Sequence, residues 1–467
     1  MNIVWFRRDL RTNDHLPLFM AAKVGEVLPI YIIDPSFWQE GTLSARHFSF
    51  VLESLEDLSS SLSELGGTLC FAIGEAKPIF QRLQAEYGSI RLYFHKDTWD
   101  SNACDQGWLI KSGIPFEEII PFPFGEESAS SKRMWLRAME EAGKIVPPVI
   151  KSPPMRPDWL FTSTSKLAGF PVKGELIPTA QPGGERYAME TLNSFFESRY
   201  VNYLKNKESL FKASNYSSRL SPYLTWGNIS LKCVVKKALR ELNETEQPES
   251  KKAVNTFLDS LYKRFLVCET TMMQNSNGNF PVIQGRKWTQ EEWERITSGK
   301  TGIPIIDAAV LSLKKSGWLP YSLRAVLVFF VCGAFRIDSD LMKRFLGSHL
   351  LDYDPCINNA EVDLCLSFAG KGHSRYFHPI KAGEKLDKEG EFIKRHLPQL
   401  RELPAEYVHK PWCYPGFYHL GYPVPMVDSE KAYQSIKLLS GQRENPAKKH
   451  PKNLPCGTKQ LTWDFFN

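Results

Sequence analysis

Short runs of β-forming apolar residues alternate with amphipathic stretches over the first part of the chain. Residues 44–65 begin with a plausible N-cap serine and then repeat apolar side chains at helical spacing. The β-forming runs predict strands at residues 2–6, 27–33, 68–73, 91–95 and 116–122. Strands that alternate with helices in this way predict a doubly wound parallel sheet. No G-x-G-x-x-G motif follows the first predicted strand, so the dinucleotide site that is common in such sheets is not indicated.

The pattern changes twice further along the chain. Residues 126–185 are rich in serine and proline, which predicts a connecting segment that runs over a surface. Beyond it the apolar spacing is helical, as in FLDSLYKRFL at 257–266, and SLRAVLVFFVCGAF at 322–335 is apolar on all sides, as a buried helix is. We therefore predict an α/β domain over 1–125, an interdomain linker over 126–185 and an all-α domain over 186–467.

Composition supports a folded protein of two or three domains, with 467 residues of which 42% are hydrophobic and 24% charged. The start MNIVWFRRDLR is charged after a short apolar run, and no apolar stretch reaches membrane-span length, so we expect no signal peptide and no membrane partner. Nine cysteines without a C-x-x-C pair indicate a reducing, cytoplasmic compartment and no metal site. The net charge of +6 permits nucleic acid as a partner without identifying it.

Four motifs follow one another in the predicted helical half. They are SRLSPYLTWG at 218–227, TGIPIIDAA at 301–309, GW at 317–318, and LLDYD at 350–354 with an asparagine pair soon after it. Small hydroxyls, an arginine and paired aspartates within otherwise helical sequence are the groups that a buried pocket for a large planar cofactor requires.

The first of these motifs suggests a phosphate site. Ser218, Arg219 and Ser221 lie where a loop is predicted to enter a helix. Hydroxyls, backbone N–H groups and a cation can bind a diphosphate at such a place. The alternative is an N-cap serine beside a solvated arginine.

The last motif is paired with an arginine from the apolar stretch. Arg324 lies in an otherwise apolar helix, where a guanidinium needs a carboxylate partner, and Asp352 or Asp354 can supply it. The alternative is a salt bridge with a purely structural role.

Together with WFRRDLRTND at 5–14, SKRMW at 131–135, GEKLDKEGEFIKRHLPQL at 383–400 and VHKPW at 408–412, these motifs resemble the photolyase/cryptochrome family over nearly the whole chain. The resemblance implies an N-terminal α/β antenna domain, a connecting loop and a helical domain that binds FAD in a U shape. The cofactor-binding residues that it implies are Tyr203, Ser218, Arg219, Leu220, Ser221, Lys263, Arg324, Asp352, Asp354 and Asn358. Tyr203 and Lys263 match less well, and an ordinary surface role is the alternative for each.

The resemblance also implies roles around the flavin ring. Arg324 and Asp352 would form the ion pair beside the ring, and Asp354 and Asn358 would contact its edge, with Asn358 facing N5. An asparagine can donate or accept a hydrogen bond without a fixed charge, so it can tune which redox state of the flavin is stable.

The substrate side departs from the family. A carboxylate and a tryptophan of one helix meet the flipped-out pyrimidine dimer in DNA photolyases, and Asp259 and Tyr262 stand at those positions here. They are a shorter acid and a smaller aromatic. With Asn358, they are the residues that we predict to be catalytic.

The electron path departs from the family as well. Val362, Leu364 and Ser339 stand where the family has a photoreduction donor, a substrate-stacking ring and a further donor. An aliphatic side chain cannot be oxidised by an excited flavin, so the common route of light-driven reduction is missing. Tyr321 or Tyr353 could serve instead, although a packing role is the alternative for Tyr321.

The antenna is not specified by the sequence. Asp100 and Ser101 stand where an asparagine and a glutamate bind folate in the family, so a folate or flavin antenna remains an open possibility.

Two functional classes follow from the resemblance. In a light-driven repair lyase, excited reduced FAD passes an electron to a flipped dimer in UV-damaged DNA. A basic groove would be formed by Lys263, Arg264, Arg324, Lys371, His373 and Arg375. In a cryptochrome-like blue-light receptor, a redox change of the flavin alters the surface that binds a protein partner. The missing tryptophans favour this class. The lack of a long C-terminal extension counts against it. A family member with altered flavin chemistry is a third possibility. We favour the photolyase, as a monomer, because the cofactor motifs and the short domain plan are intact.

Overall fold

The computed structural model describes residues 1–97, 99, 106–121, 131–177, 180–206, 209–273, 288–367 and 378–428. Several positions singled out in the sequence lie outside these ranges. They are the antenna positions Asp100 and Ser101 and the basic residues Lys371, His373 and Arg375.

Five parallel strands form one sheet in the N-terminal part. They are β1 (Asn2–Phe6), β2 (Val27–Ile33), β3 (Cys70–Ile73), β4 (Arg91–His95) and β5 (Phe116–Ile119). The order across the sheet is β3-β2-β1-β4-β5, so β1 lies in the middle and pairs with β2 and β4. This confirms the predicted doubly wound parallel sheet, although β3 begins later and β5 ends earlier than the sequence predicted.

Helices cover both faces of this sheet. They are α1 (Leu16–Val24), α2 (Ala45–Glu64), α3 (Ala76–Tyr87) and α4 (Gln106–Ser112), and each follows a strand. Because side chains alternate along a strand, β1 contributes to two cores. Ile3 and Trp5 belong to a small core with Phe80 of α3, whereas Val4 and Phe6 belong to a large core that continues into the helical half.

The connecting segment contains a helix, α5 (Lys132–Glu141). Its N-cap is Ser131, whose hydroxyl accepts a hydrogen bond from the Met134 backbone N–H at 3.3 Å. Trp135 and Met139, one turn apart, are 0% and 1% exposed. The interpretation of this segment as a surface linker did not include α5, although the four-residue spacing of these two side chains was a helical signal.

The remaining described helices form the C-terminal part. They are α6 (Glu185–Ser194), α7 (Tyr203–Asn206), α8 (Leu210–Tyr216), α9 (Ser221–Thr225), α10 (Leu231–Glu244), α11 (Pro248–Met273), α12 (Gln290–Thr297), α13 (Pro304–Ser316), α14 (Tyr321–Val328), α15 (Ser339–His349), α16 (Pro355–Ser367), α17 (Pro379–Leu386), α18 (Glu391–His396) and α19 (Ala405–Val408). The helical half is therefore as predicted. Within the ranges given above, no helix is long and apolar enough to cross a bilayer.

The start of α2 binds the end of α15. Three side chains there donate hydrogen bonds to the successive carbonyl oxygens of residues 348–350. The donors are the Ser44 hydroxyl at 2.7 Å, the Arg46 guanidinium at 3.0 Å and the His47 imidazole at 2.7 Å, in that order. The last carbonyls of a helix lack partners within the helix, so these donors satisfy them. The α/β part thereby fixes the loop that carries the two aspartates of the LLDYD motif.

Gly227 brings the loop after β1 against the turn after α9. Its φ is +70°, and a Cβ there would overlap the carbonyl oxygen of Arg8. The Leu10 N–H donates to the Trp226 carbonyl at 3.3 Å, and the Asn228 amide donates to the Leu10 carbonyl at 3.2 Å. The close approach of the two backbones at Gly227 is therefore a second contact between the two halves.

Candidate functional site

An arginine and an aspartate form a buried ion pair at the centre of the helical half. Nη2 of Arg324, on α14, lies 2.9 and 3.1 Å from the two carboxylate oxygens of Asp352, and its Nε donates to the Leu319 carbonyl at 2.9 Å. The two side chains are 12% and 6% exposed. Burial alone would raise the pKa of Asp352, but the Arg324 charge, the hydrogen bonds from Arg324 and Ser221 and the Arg264 charge together outweigh it, and the pKa is lowered. Of the two aspartates weighed from the sequence, the structure pairs Asp352 with Arg324.

The predicted phosphate turn leads into α9, with Arg219 in the left-handed region at φ +59°. Its guanidinium lies 4.4 Å over the Trp318 ring, and burial lowers its pKa to about 10. Among the described residues, no carboxylate lies within ion-pair distance of Arg219. Arg199 donates to the Ser217 and Ser218 carbonyls at 2.5 and 3.5 Å and so holds the turn.

Two further features fit an anionic group at this turn. The Ser217 hydroxyl is buried and has no hydrogen-bond partner in the part of the chain that the structure describes. A buried hydroxyl without a hydrogen-bond partner and a half-buried cation without a carboxylate in ion-pair distance are what a diphosphate would satisfy. The residues present therefore fit the phosphate end of FAD. Sequence reasoning missed Arg199 and Ser217, because carbonyl contacts to a distant arginine carry no local signal.

The turn is connected to the ion pair. Leu220 is 1% exposed and packs in the core, and Ser221 begins α9. The Ser221 side chain hydrogen-bonds to the Asp352 carboxylate, which also lowers the pKa of Asp352. The structure thus brings the predicted phosphate residues and the predicted ring residues into one continuous site.

Asn358 is held in one orientation. Its Oδ1 accepts a hydrogen bond from the Asp354 backbone N–H at 2.7 Å, and its Nδ2 donates to Oε2 of Glu361 at 3.3 Å. A backbone N–H can only donate, so the amide oxygen must face it. The second amide hydrogen of Asn358 remains as a donor. Glu361 was not identified from the sequence, although it follows Asn358 by three residues on the same helix.

Asp354 faces the cleft between the two halves. Its Oδ2 lies 3.6 Å from Nη1 of Arg8 and 3.7 Å from Nη2 of Arg264, and its Oδ1 accepts from the Cys356 N–H at 3.1 Å. Arg8 also pairs with Asp97 at 2.5 Å. Asp354 therefore joins a chain of alternating charges that extends into the α/β part.

The predicted substrate residues lie on α11 and contact α5. Asp259 forms an ion pair with Lys132, and the Tyr262 ring lies 5.3 Å from that of Trp135. Asp259 is 48% exposed. These contacts link the pair to α5 rather than to the Arg324 ion pair.

Two weaker candidates also lie in this region. Tyr203 packs edge-on against Phe195 at 5.9 Å, and its hydroxyl hydrogen-bonds to Ser260 of α11. This is a packing contact between α7 and α11. Lys263 is half-buried on α11.

Aromatic side chains extend from the aspartate loop into the interface. Tyr353 is 6% exposed, and its ring lies 5.8 Å from Trp99. Trp226 follows at 5.3 Å from Trp99, and Trp38 stacks on Trp226 at 6.0 Å. The other suggested donor, Tyr321, places its hydroxyl 4.0 Å from the Cys365 sulfur. The positions of the missing tryptophans are occupied by aliphatic packing: Val362 is 2% exposed and Leu364 is half-buried.

Comparisons with known proteins identify one family in both halves of the chain. A family model described as DNA photolyase matches residues 2–106, and one described as the FAD binding domain of DNA photolyase matches residues 254–439. A deoxyribodipyrimidine photo-lyase of Vibrio cholerae is 27% identical, and the match covers 92% of this chain and 97% of that protein. A cryptochrome-2 of Gallus gallus is also 27% identical, over 91% of this chain and 80% of that protein.

Solved structures give the same result. A bacterial class III photolyase from Agrobacterium tumefaciens superimposes with a TM-score of 0.79 at 26% identity, over 94% of this chain and 97% of that one. A Synechocystis cryptochrome superimposes with a TM-score of 0.81 at 22% identity, over 94% and 98%, which shows that the fold is shared.

Proposed function

Because the chain belongs to the photolyase/cryptochrome family, we propose that it is a blue-light-driven, FAD-dependent photolyase that splits pyrimidine dimers in UV-damaged DNA. The observation that carries this proposal is the partly buried Arg219, which has no carboxylate partner among the described residues and lies in the turn that reaches the Arg324–Asp352 pair through Ser221. When bound, reduced FAD excited by blue light supplies the electron that opens the dimer.

The proposed cofactor site has two ends. Arg219, with the hydroxyls of Ser217 and Ser218, would bind the diphosphate, and charge-assisted hydrogen bonds make this the stronger attachment. Ser221 connects this turn to the other end through its hydrogen bond to Asp352. At the other end, Arg324 and Asp352 lie beside the ring, and Asn358 offers it an amide donor. The proposed set also includes residues that contribute packing or charge around the cofactor. They are Tyr203, Leu220, Lys263 and Asp354.

The proposed substrate contacts lie on α11. Tyr262 offers an aromatic face on which a flipped base can stack. Asp259 is half exposed and offers a hydrogen-bond acceptor, and its ion pair with Lys132 lowers the repulsion between this carboxylate and the DNA phosphates. Of the basic residues expected around the groove, Lys263 and Arg264 lie on the same helix, with Arg264 turned toward Asp354.

We propose DNA as the partner of a monomeric, cytoplasmic protein. The seven described cysteines are all free thiols, which supports a reducing compartment.

The test is repair by the purified protein. After chemical reduction of bound FAD, blue light is expected to restore single-stranded DNA that contains pyrimidine dimers, and a dark sample is the control. Chromatography of the digested DNA measures the remaining dimers. A protein that takes up no FAD on reconstitution refutes the proposal. An additional near-ultraviolet absorption band would show a folate or flavin antenna.

A cryptochrome-like receptor is the second candidate, and the half-buried Leu364 favours it, because an aliphatic side chain stands where the family has a substrate-stacking ring. Its partner would be a protein that reads the flavin state. Tight FAD binding without repair of any dimer would favour this candidate over the photolyase.

A further inference from the structure

A second carboxyl group lies beside the Arg324–Asp352 pair. Glu361, on α16, places its Oε2 3.3 Å from the Asn358 amide nitrogen and 3.7 Å from Nη1 of Arg324. Its side chain is 22% exposed. None of the sequence motifs includes this residue, and no role assigned so far uses it.

The charge balance of this cluster makes Glu361 unusual. The Arg324 charge is already neutralised by Asp352, which contacts it at 2.9 and 3.1 Å. An ionised Glu361 would leave a net negative charge in a mostly buried cluster, which is costly unless another cation compensates it. A carboxyl group in this position is therefore expected to keep its proton to a higher pH than an exposed one.

We propose that Glu361 is a positioning residue that holds a proton beside the ring of the bound flavin and thereby makes the reduction of that flavin dependent on pH. The inference rests on the proposed FAD site. A neutral Glu361 leaves the cluster without net charge, so added negative charge on the ring is tolerated. An ionised Glu361 opposes that charge, and it does so next to Asn358, whose amide it orients.

The surrounding groups leave Glu361 as the one carboxyl group of this cluster whose pKa is raised. Burial raises the pKa of Glu361, and the nearby Arg324 and Arg264 lower it only in part. Asp352 is ionised because its pKa is lowered. On the same helix, burial raises the pKa of the Cys365 thiol to about 12, so it stays protonated. That thiol also lies 4.0 Å from the Tyr321 hydroxyl.

The test compares the FAD-loaded wild type with Glu361→Gln, which keeps the shape and cannot ionise. The ratio of reduced to oxidised flavin is measured against a reference dye at pH 5 and pH 9. At pH 5 the two proteins are expected to agree within about twofold. At pH 9 the ratio of reduced to oxidised flavin is expected to be about tenfold higher in the variant than in the wild type, because one charge at close range in a partly buried site has at least this effect. A tenfold change corresponds to about 30 mV for a two-electron couple.

Asp363→Asn is the matched control. Asp363 lies on the same helix, but its carboxylate pairs with Lys343 at 2.7 Å. This variant is expected to follow the wild type at both pH values. Equal ratios for wild type and Glu361→Gln at pH 9, or the same difference at both pH values, would overturn the inference.

A second measurement separates this inference from the proposed function. If the wild type binds no FAD, the proposed function fails, and the urea unfolding midpoints of the two apoproteins still decide whether Glu361 holds a proton. The midpoint of Glu361→Gln is expected to rise relative to that of the wild type between pH 5 and pH 9. A constant difference would show that Glu361 does not hold a proton in this range.

Discussion

Replacing Asp352 by asparagine is expected to destabilise the centre of the site. The asparagine side chain would keep an oxygen acceptor for Arg324 but would remove the negative charge that lies 2.9 Å from its Nη2. Removal of one partner of a buried ion pair costs about 3–5 kcal/mol, because the other charge remains buried. Once Asp352 is neutral, Glu361, at 3.7 Å from Nη1, can lose its proton and take over part of the charge, so we expect the lower end, about 3 kcal/mol.

The measurement is urea unfolding of the Asp352→Asn variant, together with its FAD content after reconstitution. A loss of about 3 kcal/mol corresponds to about two orders of magnitude in the folding equilibrium. Asp340→Asn is the control, because Asp340 makes the same type of contact with Lys343 at 3.4 Å but is 75% exposed. An exposed pair contributes about 0.2–1 kcal/mol, so the control is expected to change little.

The outcome can contradict the assignment directly. If Asp352→Asn unfolds at the same urea concentration as the wild type and retains its FAD, then Arg324 and Asp352 neither hold the helical half together nor lie at the flavin ring. If stability falls but FAD content does not, the ion pair has a structural role only, which is the alternative that the sequence left open.

Three further substitutions test other parts of the molecule. Gly227→Ala is expected to lower the free energy of unfolding in urea by about 2–5 kcal/mol. The left-handed backbone costs about 1–2 kcal/mol, and overlap with the Arg8 carbonyl adds about 1–3 kcal/mol. A small loss would mean that the two halves can separate at this contact. Arg219→Gln is expected to weaken FAD binding in a fluorescence titration at least tenfold, since a charge-assisted hydrogen bond contributes about 1.5–3 kcal/mol, without destabilising the apoprotein; unchanged affinity would remove Arg219 from the site. His47→Gln is expected to flatten the dependence of stability on pH. Burial lowers the pKa of His47 to about 4, so only the unfolded chain binds the proton between about pH 6.5 and pH 4. The wild type therefore loses stability as the pH falls through this range. Urea unfolding at several pH values measures this, and an equal dependence of stability on pH in both proteins would contradict it.

The features that the sequence could predict have a local cause. The parallel sheet follows from apolar strands that alternate with amphipathic helices, and β1 and β2 have the predicted bounds. The pairing of Arg324 with an aspartate follows because a guanidinium in an apolar helix requires a carboxylate. Residue chemistry alone left the choice between Asp352 and Asp354 open, and only the resemblance to the family selected Asp352, because the choice depends on loop geometry.

The features that were missed depend on contacts between distant segments. Arg199 is visible as a site residue only when its carbonyl partners at residues 217–218 are in place. Glu361 can be recognised as a site residue only from its contact with Arg324, which belongs to another helix. The helix α5 was hidden by the prolines and serines around it, which favour a connecting segment but do not exclude a short helix within it.

The aspartate loop shows why a flavin site in the helical half depends on the α/β half. Asp352 is bound from within the helical half by Arg324, whereas Asp354 is bound by Arg8, which follows β1. The residues just before this loop, 348–350, accept three hydrogen bonds from the start of α2. The loop is therefore held from both halves, and a substitution in the α/β part that loosens these donors is expected to reduce FAD retention without touching the pocket. The His47→Gln variant provides this test, because its only described polar contacts are local to α2 and with Leu350.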